Sequence, residues 1–297
     1  MPIVSVIIPF YNRFEWLDAA VRSVLDQTLT DLEIIMVDDG SDESGCFEII
    51  DDPRIRYVRQ ENNGPAAARN LGIELSNGRY VAFLDSDDLF LPNKLEIQIN
   101  YMENHPNIGL SHTSYLRINA EGEYIERMDS GKFAGEVYPG IISCCPIATP
   151  TVMIRRDVVD DLHFEELVRL GEDVILWIKI AKKYEINGID EALTKVRIHG
   201  CNAIHNPEKQ LIGNKLILKY AFENDVSLSR IFKLKSMSKM YAYIGYLYYA
   251  DRNIKSCIWF FILSVLYWPL NSLDIFKLFI DHIGLKVRNI ISEYIEK

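Results

Sequence analysis

Basic charge is in short supply: 32 Lys and Arg stand against 42 Asp and Glu, a formal net charge of -10. Proteins that grip a polyphosphate backbone need the opposite balance, so the composition argues against a general nucleic-acid binder. Cysteine is scarce as well. There are five, an odd number, and the one adjacent pair, Cys144-Cys145, has no zinc-like spacing to the others, which predicts a reduced, cytosolic protein. Long apolar runs are missing: the longest, Cys257 to Trp268, falls short of the roughly 18 residues that cross a bilayer. Met1-Pro2-Ile3-Val4-Ser5 enters a strand pattern with no charged leader, so no signal peptide is expected. No strand candidate ends in Gly-x-Gly-x-x-Gly or a Walker A loop, which removes the two commonest nucleotide cradles.

What is present is globular. Hydrophobic residues at 48% and charged residues at 25% exclude a disordered chain, and 297 residues make one large or two ordinary domains. Val4 to Pro9 reads as a strand and Glu15 to Leu25 as a helix with Leu17, Val21, Val24 and Leu25 on one side. Leu32 to Val37, Ile55 to Val58 and Tyr80 to Leu84 read as further strands, with a helix at Pro65 to Leu75. This alternation predicts an α/β fold with a mixed, mostly parallel sheet. Later come a helix at Asn93 to Met102 and antiparallel strands at Gly109 to Ile118 and Tyr124 to Met128. A strand at Thr151 to Ile154, a helix at Val174 to Lys183 and a strand at Leu193 to His199 follow. The expected organisation is an α/β domain over 1–201, in two halves at 1–95 and 96–201, then a helical extension over 202–297.

Two strands end in acid: Asp38-Asp39 after the second, and Asp85-Ser86-Asp87-Asp88 after the fourth. The carboxyl ends of strands are where open α/β sheets bind ligands. Clustered carboxylates repel one another unless a cation joins them, and hard oxygens suit Mg²⁺ or Mn²⁺, with substrate phosphate supplying further ligands. A polar turn, with Asp88 capping a helix near Pro92, is the plainer reading. Glu172-Asp173 opens a helix, where acids also serve the helix dipole.

In the extension, Tyr241, Gly245, Tyr248, Cys257, Phe261, Ser264 and Pro269 follow a tetratricopeptide-like pattern, which predicts two antiparallel helices. The aromatic band Trp259, Phe260, Phe261, Tyr267 and Trp268 also suits a membrane interface. An amphipathic helix over Asp274 to Glu293 is expected to cap the hairpin, pair with a second subunit as a homodimer, or rest on anionic lipid.

Five blocks occur in order: Val6-Ile7-Ile8-Pro9-Phe10-Tyr11-Asn12-Arg13; Val37-Asp38-Asp39-Gly40-Ser41-Asp42; Asn62 to Gly72 with Pro65-Ala66-Ala67-Ala68-Arg69-Asn70; Phe83-Leu84-Asp85-Ser86-Asp87-Asp88; and Glu172-Asp173. Together they resemble glycosyltransferase family 2, the inverting nucleotide-sugar transferases of GT-A, Rossmann-like fold. The resemblance implies a UDP-sugar donor and a glycan or lipid-linked acceptor in bacterial surface polysaccharide synthesis, on the cytoplasmic face of the inner membrane. It implies that Pro9, Tyr11, Asn12, Asp39, Arg69, Asp85 and Ser86 line the nucleotide. Asp87, with Asp85 and His199, would hold Mn²⁺ or Mg²⁺; Asp173 would be the general base and Glu172 its alternative or an acceptor contact. Two other classes share part of this pattern: a sugar-1-phosphate nucleotidyltransferase, and a non-catalytic scaffold using the helical tail.

Overall fold

All seven residues of the first strand, β1 (Val4–Phe10), are buried, which marks it as a central strand covered on both faces. The computed structural model describes residues 1–42, 51–200 and 206–271, and its contacts divide the chain into two units, Met1–Cys201 and Asn202–Lys297. The helix expected at Asp274 to Glu293 lies outside the described residues.

In the first unit β1 is followed by α1 (Leu17–Leu25), β2 (Leu32–Asp38), β3 (Ile55–Arg59), α2 (Pro65–Leu75) and β4 (Tyr80–Phe83). β1 pairs in parallel with β2 on one side and β4 on the other, and β2 pairs in parallel with β3. Helix α1 buries Leu17, Ala20, Val21 and Val24, one face at helical spacing, in a cluster with Val6, Ile8, Ile34, Met36 and Ala82. Burying each large aliphatic side chain of this cluster contributes about 1.5–3 kcal/mol. On the other face α2 comes so near β1 that a Cβ on Gly72 would lie 2.4 Å from Ile7 Cγ2. Parallel pairing has one consequence for function: the ends of β1, β2 and β4 share an edge, so the residues that follow all three converge there.

The rest of the unit is β5 (Leu89–Phe90), α3 (Lys94–Glu103), β6 (Ile108–Ile118), β7 (Tyr124–Met128), β8 (Met153–Arg155), α4 (Arg156–Val159), α5 (Glu172–Ala181) and β9 (Glu185–Arg197). Among the described residues nine strands form one sheet, ordered β3-β2-β1-β4-β8-β6-β9-β5, with β7 paired to β6. The first four are parallel; β8 and β5 run antiparallel to their neighbours, and β9 runs parallel to β6. Strand β5 and the short α4 are not expected from the sequence, and two strands start at places other than expected. Thr149–Thr151 is a 3₁₀ turn with Pro150 at its centre, and the strand begins only at Met153. Strand β9 begins at Glu185 rather than Leu193, because pairing with β6 carries it through the polar stretch Asn187 to Glu191 with register shifts.

The second unit holds α6 (Pro207–Asn224), α7 (Arg230–Ala250) and α8 (Ile254–Tyr267). Ser229 caps α7 by accepting from Phe232 N, and Asn253 caps α8 by accepting from Ser256 N. The two helices expected here are present and antiparallel. Ser238 Oγ donates to Ser264 O at 2.7 Å and Ser264 Oγ donates back to Ser238 O at 2.8 Å, both serines fully buried. Tyr248 stacks on Phe260, and Gly245 leaves room for the Phe261 ring. No helix among the described residues is long and apolar enough to cross a membrane.

Candidate active site

After β1 the backbone turns at Asn12, whose φ of 52° is one that Asn adopts more readily than most residues. Asn12 N donates to Ser41 Oγ, Asn12 Nδ2 to Asp42 Oδ2, and Asp42 N to Asn12 Oδ1. The loops after β1 and β2 are thereby tied together. Pro9 is buried in the strand and Tyr11 is exposed beside the tie. Asp38 accepts from Ser41 N and from the Tyr57 hydroxyl, so it makes the Asp-Gly turn. Asp39 instead reaches the next crossover: its Oδ1 accepts from Gln60 Nε2 and Asn63 N, and its Oδ2 from Gly64 N. It is buried and organises the loop that starts α2.

The acidic end of β4 is a buried turn, closed by Asp88 N donating to Asp85 O at 3.0 Å. Arg69 on α2 reaches it as a buried bridge. Nη2 donates to Asp85 Oδ1 at 2.8 Å and Nη1 to Glu172 Oε1 at 3.0 Å, with the guanidinium over the Phe164 ring. Burial disfavours its charge, but Asp85 and Glu172 outweigh that and hold the guanidinium charged. Burial lifts the Asp85 carboxyl; Arg69 pulls it down and the neighbouring Asp87 lifts it again. Burial also lifts Glu172, Asp173 adds to the rise and Arg69 opposes it. Arg69 is therefore no solvated helix residue, and Glu172 is turned to Arg69.

Asp87 is 5% exposed, and one oxygen, Oδ2, receives two donors: Arg13 Nη1 at 2.7 Å and His199 Nε2 at 2.8 Å. Ser86 beside it is buried. Asp88 caps no helix. Its Oδ1 accepts from Arg197 N at 2.8 Å, while burial and the charges of Asp87 and Asp85 push its carboxyl well above the usual range. The Arg197 side chain donates to Asp87 O, Asn119 O and Ala120 O, joining β9, the acidic turn and the β6–β7 turn. Trp16 packs under both neighbours, its ring 4.8 Å from that of His199 and 5.2 Å from the Arg197 guanidinium.

Asp173 lies in the first turn of α5, which Gly171 starts at a φ of 87°. Its Oδ2 accepts from Thr149 Oγ1 at 3.0 Å and its Oδ1 from Val174 N at 2.7 Å. Asp173 is near enough to raise the Asp85 carboxyl and to help hold the Arg69 charge, so both ends of the site act on one another. Cys145 lies here too: burial pushes its thiol up and Asp173 adds to the effect.

Of the residues read from the sequence, Asp85, Arg69, Glu172 and Asp173 form one group, Asp87 and His199 touch, and Asn12 and Asp39 shape adjoining loops. Arg13, Trp16, Thr149 and Arg197 were not assigned. Arg13 falls inside a quoted block and Arg197 inside the expected Leu193 to His199 strand, but Trp16 and Thr149 carry no local signal. Among the described residues no three His, Cys, Asp or Glu side chains gather into a ready-made metal cage. A carboxylate oxygen 2.8 Å from an imidazole nitrogen nevertheless fits Mn²⁺ or Mg²⁺ completed by substrate oxygens.

A parallel first half with acidic strand ends, joined to a mixed second half, is the GT-A glycosyltransferase fold. Two solved structures share it: the mannosyltransferase PcManGT of Pyrobaculum calidifontis, in complex with GDP-Man and Mn²⁺, at 18% identity and TM-score 0.61, covering 96% of this chain and 81% of that one; and TarS residues 1–349 of S. aureus, in complex with UDP, at 15% and 0.54, covering 88% and 90%. The family model for glycosyl transferase family 2 matches residues 5–162, and the chain belongs to that family. It is 32% identical to the Escherichia coli UDP-Glc:alpha-D-GlcNAc-diphosphoundecaprenol beta-1,3-glucosyltransferase WfgD, over 78% of this chain and 90% of that protein. An uncharacterized glycosyltransferase of Rickettsia felis is 51% identical over 76% of this chain, and the match spans only 38% of that longer protein.

Proposed function

We propose that the chain is a metal-assisted inverting glycosyltransferase that moves a sugar from a UDP-linked donor to a lipid-linked saccharide, in bacterial surface polysaccharide synthesis. The observation that carries this reading is the bridge made by Arg69, which holds Asp85 of the acidic turn and reaches Glu172, 103 residues further along the chain from Arg69, at the start of α5. The donor and acceptor classes come from the name of the related WfgD.

Inversion in one displacement needs an acceptor hydroxyl attacking the sugar carbon opposite the diphosphate. As the new carbon–oxygen bond forms, the bond to the diphosphate oxygen breaks and the nucleoside diphosphate leaves with the electron pair. The hydroxyl proton passes to Asp173, which Thr149 and the helix start hold in place. Asp87 and His199 would hold a divalent ion, which when bound supplies positive charge for the departing diphosphate. Arg69 opposes the burial-driven rise of the Asp85 carboxyl and ties it to α5 through Glu172. In a UDP-release assay with polyprenyl-diphosphate-sugar acceptors, excess EDTA and Asp87→Ala each abolish turnover. Full turnover in excess chelator overturns the metal role.

The helical unit suits peripheral contact with anionic membrane, on the cytoplasmic face where nucleotide sugars are made. Ile254, Ile258, Ile262, Leu266 and Leu270 are exposed at four-residue spacing with Trp259 beside them, and Lys235 lies over Trp268. Flotation on phosphatidylglycerol vesicles is expected for the native chain and lost in Trp259→Ser/Ile262→Ser. Equal flotation of the two removes this membrane role.

A further inference from the structure

Asp87 Oδ2 receives both Arg13 Nη1 at 2.7 Å and His199 Nε2 at 2.8 Å. A carboxylate oxygen has two lone-pair directions, so these two donors fill it. The partners are not equivalent. A neutral imidazole can turn from hydrogen-bond donor to metal ligand, whereas a guanidinium is always protonated and has no lone pair to offer. An ion bound through that oxygen can keep His199 beside it but must expel Arg13. Expulsion is feasible because the Arg13 side chain is 36% exposed and sits on the loop after β1, with the Asn12 turn fixed independently of it. Once released beside a diphosphate, a guanidinium finds a planar, doubly accepting partner.

We propose that Arg13 is an exchange latch: it holds the Asp87 oxygen against a free divalent ion, and transfers to the donor's diphosphate when ion and nucleotide arrive together. The inference rests on the metal reading above. The latch couples the two ligands, since UDP gives Arg13 a new partner and thereby exposes the ion site. Arg13 is a positioning residue in this scheme, and its role is read in binding rather than turnover.

The test is calorimetric titration of the full chain with Mn²⁺, with and without saturating UDP, for the native protein, Arg13→Gln and Arg13→Lys. Native protein is expected to bind Mn²⁺ weakly alone and at least tenfold more tightly with UDP. Arg13→Gln is expected to bind Mn²⁺ alone about tenfold more tightly than native, the lower end for removing a charged hydrogen bond at a half-exposed site. Its enhancement by UDP should be about threefold or more smaller than native, the diphosphate still supplying oxygens to the ion, and Arg13→Lys, cationic but without the planar fork, should fall between the two. Unchanged far-ultraviolet circular dichroism establishes folding of each variant. If Arg13→Gln binds Mn²⁺ no more tightly than native while UDP still enhances both, the latch is refuted and the metal reading stands. If no protein binds Mn²⁺ even with UDP, the metal reading itself falls and the latch with it.

Discussion

Replacing Arg69 with Met removes the charge at the centre of the site while keeping most of the volume. The guanidinium is 93% buried as a side chain and makes two charged hydrogen bonds, 2.8 Å to Asp85 and 3.0 Å to Glu172. Its loss leaves two carboxyls that burial already lifts, without the cation that draws both back. Breaking a buried ion pair from one side costs about 3–5 kcal/mol. Protonation of the stranded carboxyls offsets part of that, so the loss expected at pH 8 is about 3 kcal/mol. The sign with pH follows from linkage. A carboxyl whose folded pKa is raised favours the folded state at low pH and loses that advantage as pH climbs through its folded pKa. In Arg69→Met both carboxyls rise further, so the deficit against native protein must be largest at pH 8 and shrink toward pH 5. Urea unfolding followed by circular dichroism at the two pH values measures it. A deficit under about 1 kcal/mol, or one equal at pH 5 and pH 8, refutes the bridge as an energetic link.

Asp173→Asn is expected to keep nucleotide binding by thermal shift while losing turnover by about two orders of magnitude or more; an active variant moves the base elsewhere. Thr149→Val removes the donor on Asp173 Oδ2 and should lower kcat about tenfold with the donor KM unchanged, while restoration by Thr149→Ser separates orientation from packing. Lys94 is fully buried over the Phe90 ring, bonded to Gln98, and burial lowers its pKa to about 7. The unfolded chain therefore binds the proton more tightly, and native stability should rise between about pH 7 and pH 10 by an increment that Lys94→Met lacks, read as the difference between their urea midpoints. Parallel pH profiles for the two proteins contradict that assignment.

The first half was legible in the sequence because its central strands β1, β2 and β4 are buried on both faces and α2 begins at a strong local signal. Gly64-Pro65 fixes the start of α2, and the expected Pro65 to Leu75 is the helix found. Where tertiary pairing overrides local pattern, legibility fails. The sequence pattern starts the last strand at Leu193, yet pairing with β6 begins it at Glu185. The acidic strand ends announced themselves, since three carboxylates after an apolar run are chemically conspicuous. Arg13 and Thr149 did not, because each acquires meaning only from a partner 74 and 24 residues away. Glu172 shows the converse: a residue type that suits catalysis is held by Arg69.

Arg197 gives the β6–β7 turn an unusual obligation. Most surface hairpins tolerate added or lost residues, because little inside the protein registers their length. Here the carbonyls of Asn119 and Ala120 are gripped by the same guanidinium that holds Asp87 O, while the Arg197 amide holds Asp88. Lengthening that hairpin would tug on the acidic turn from outside, so natural variation in its span ought to be confined by chemistry taking place on a different strand.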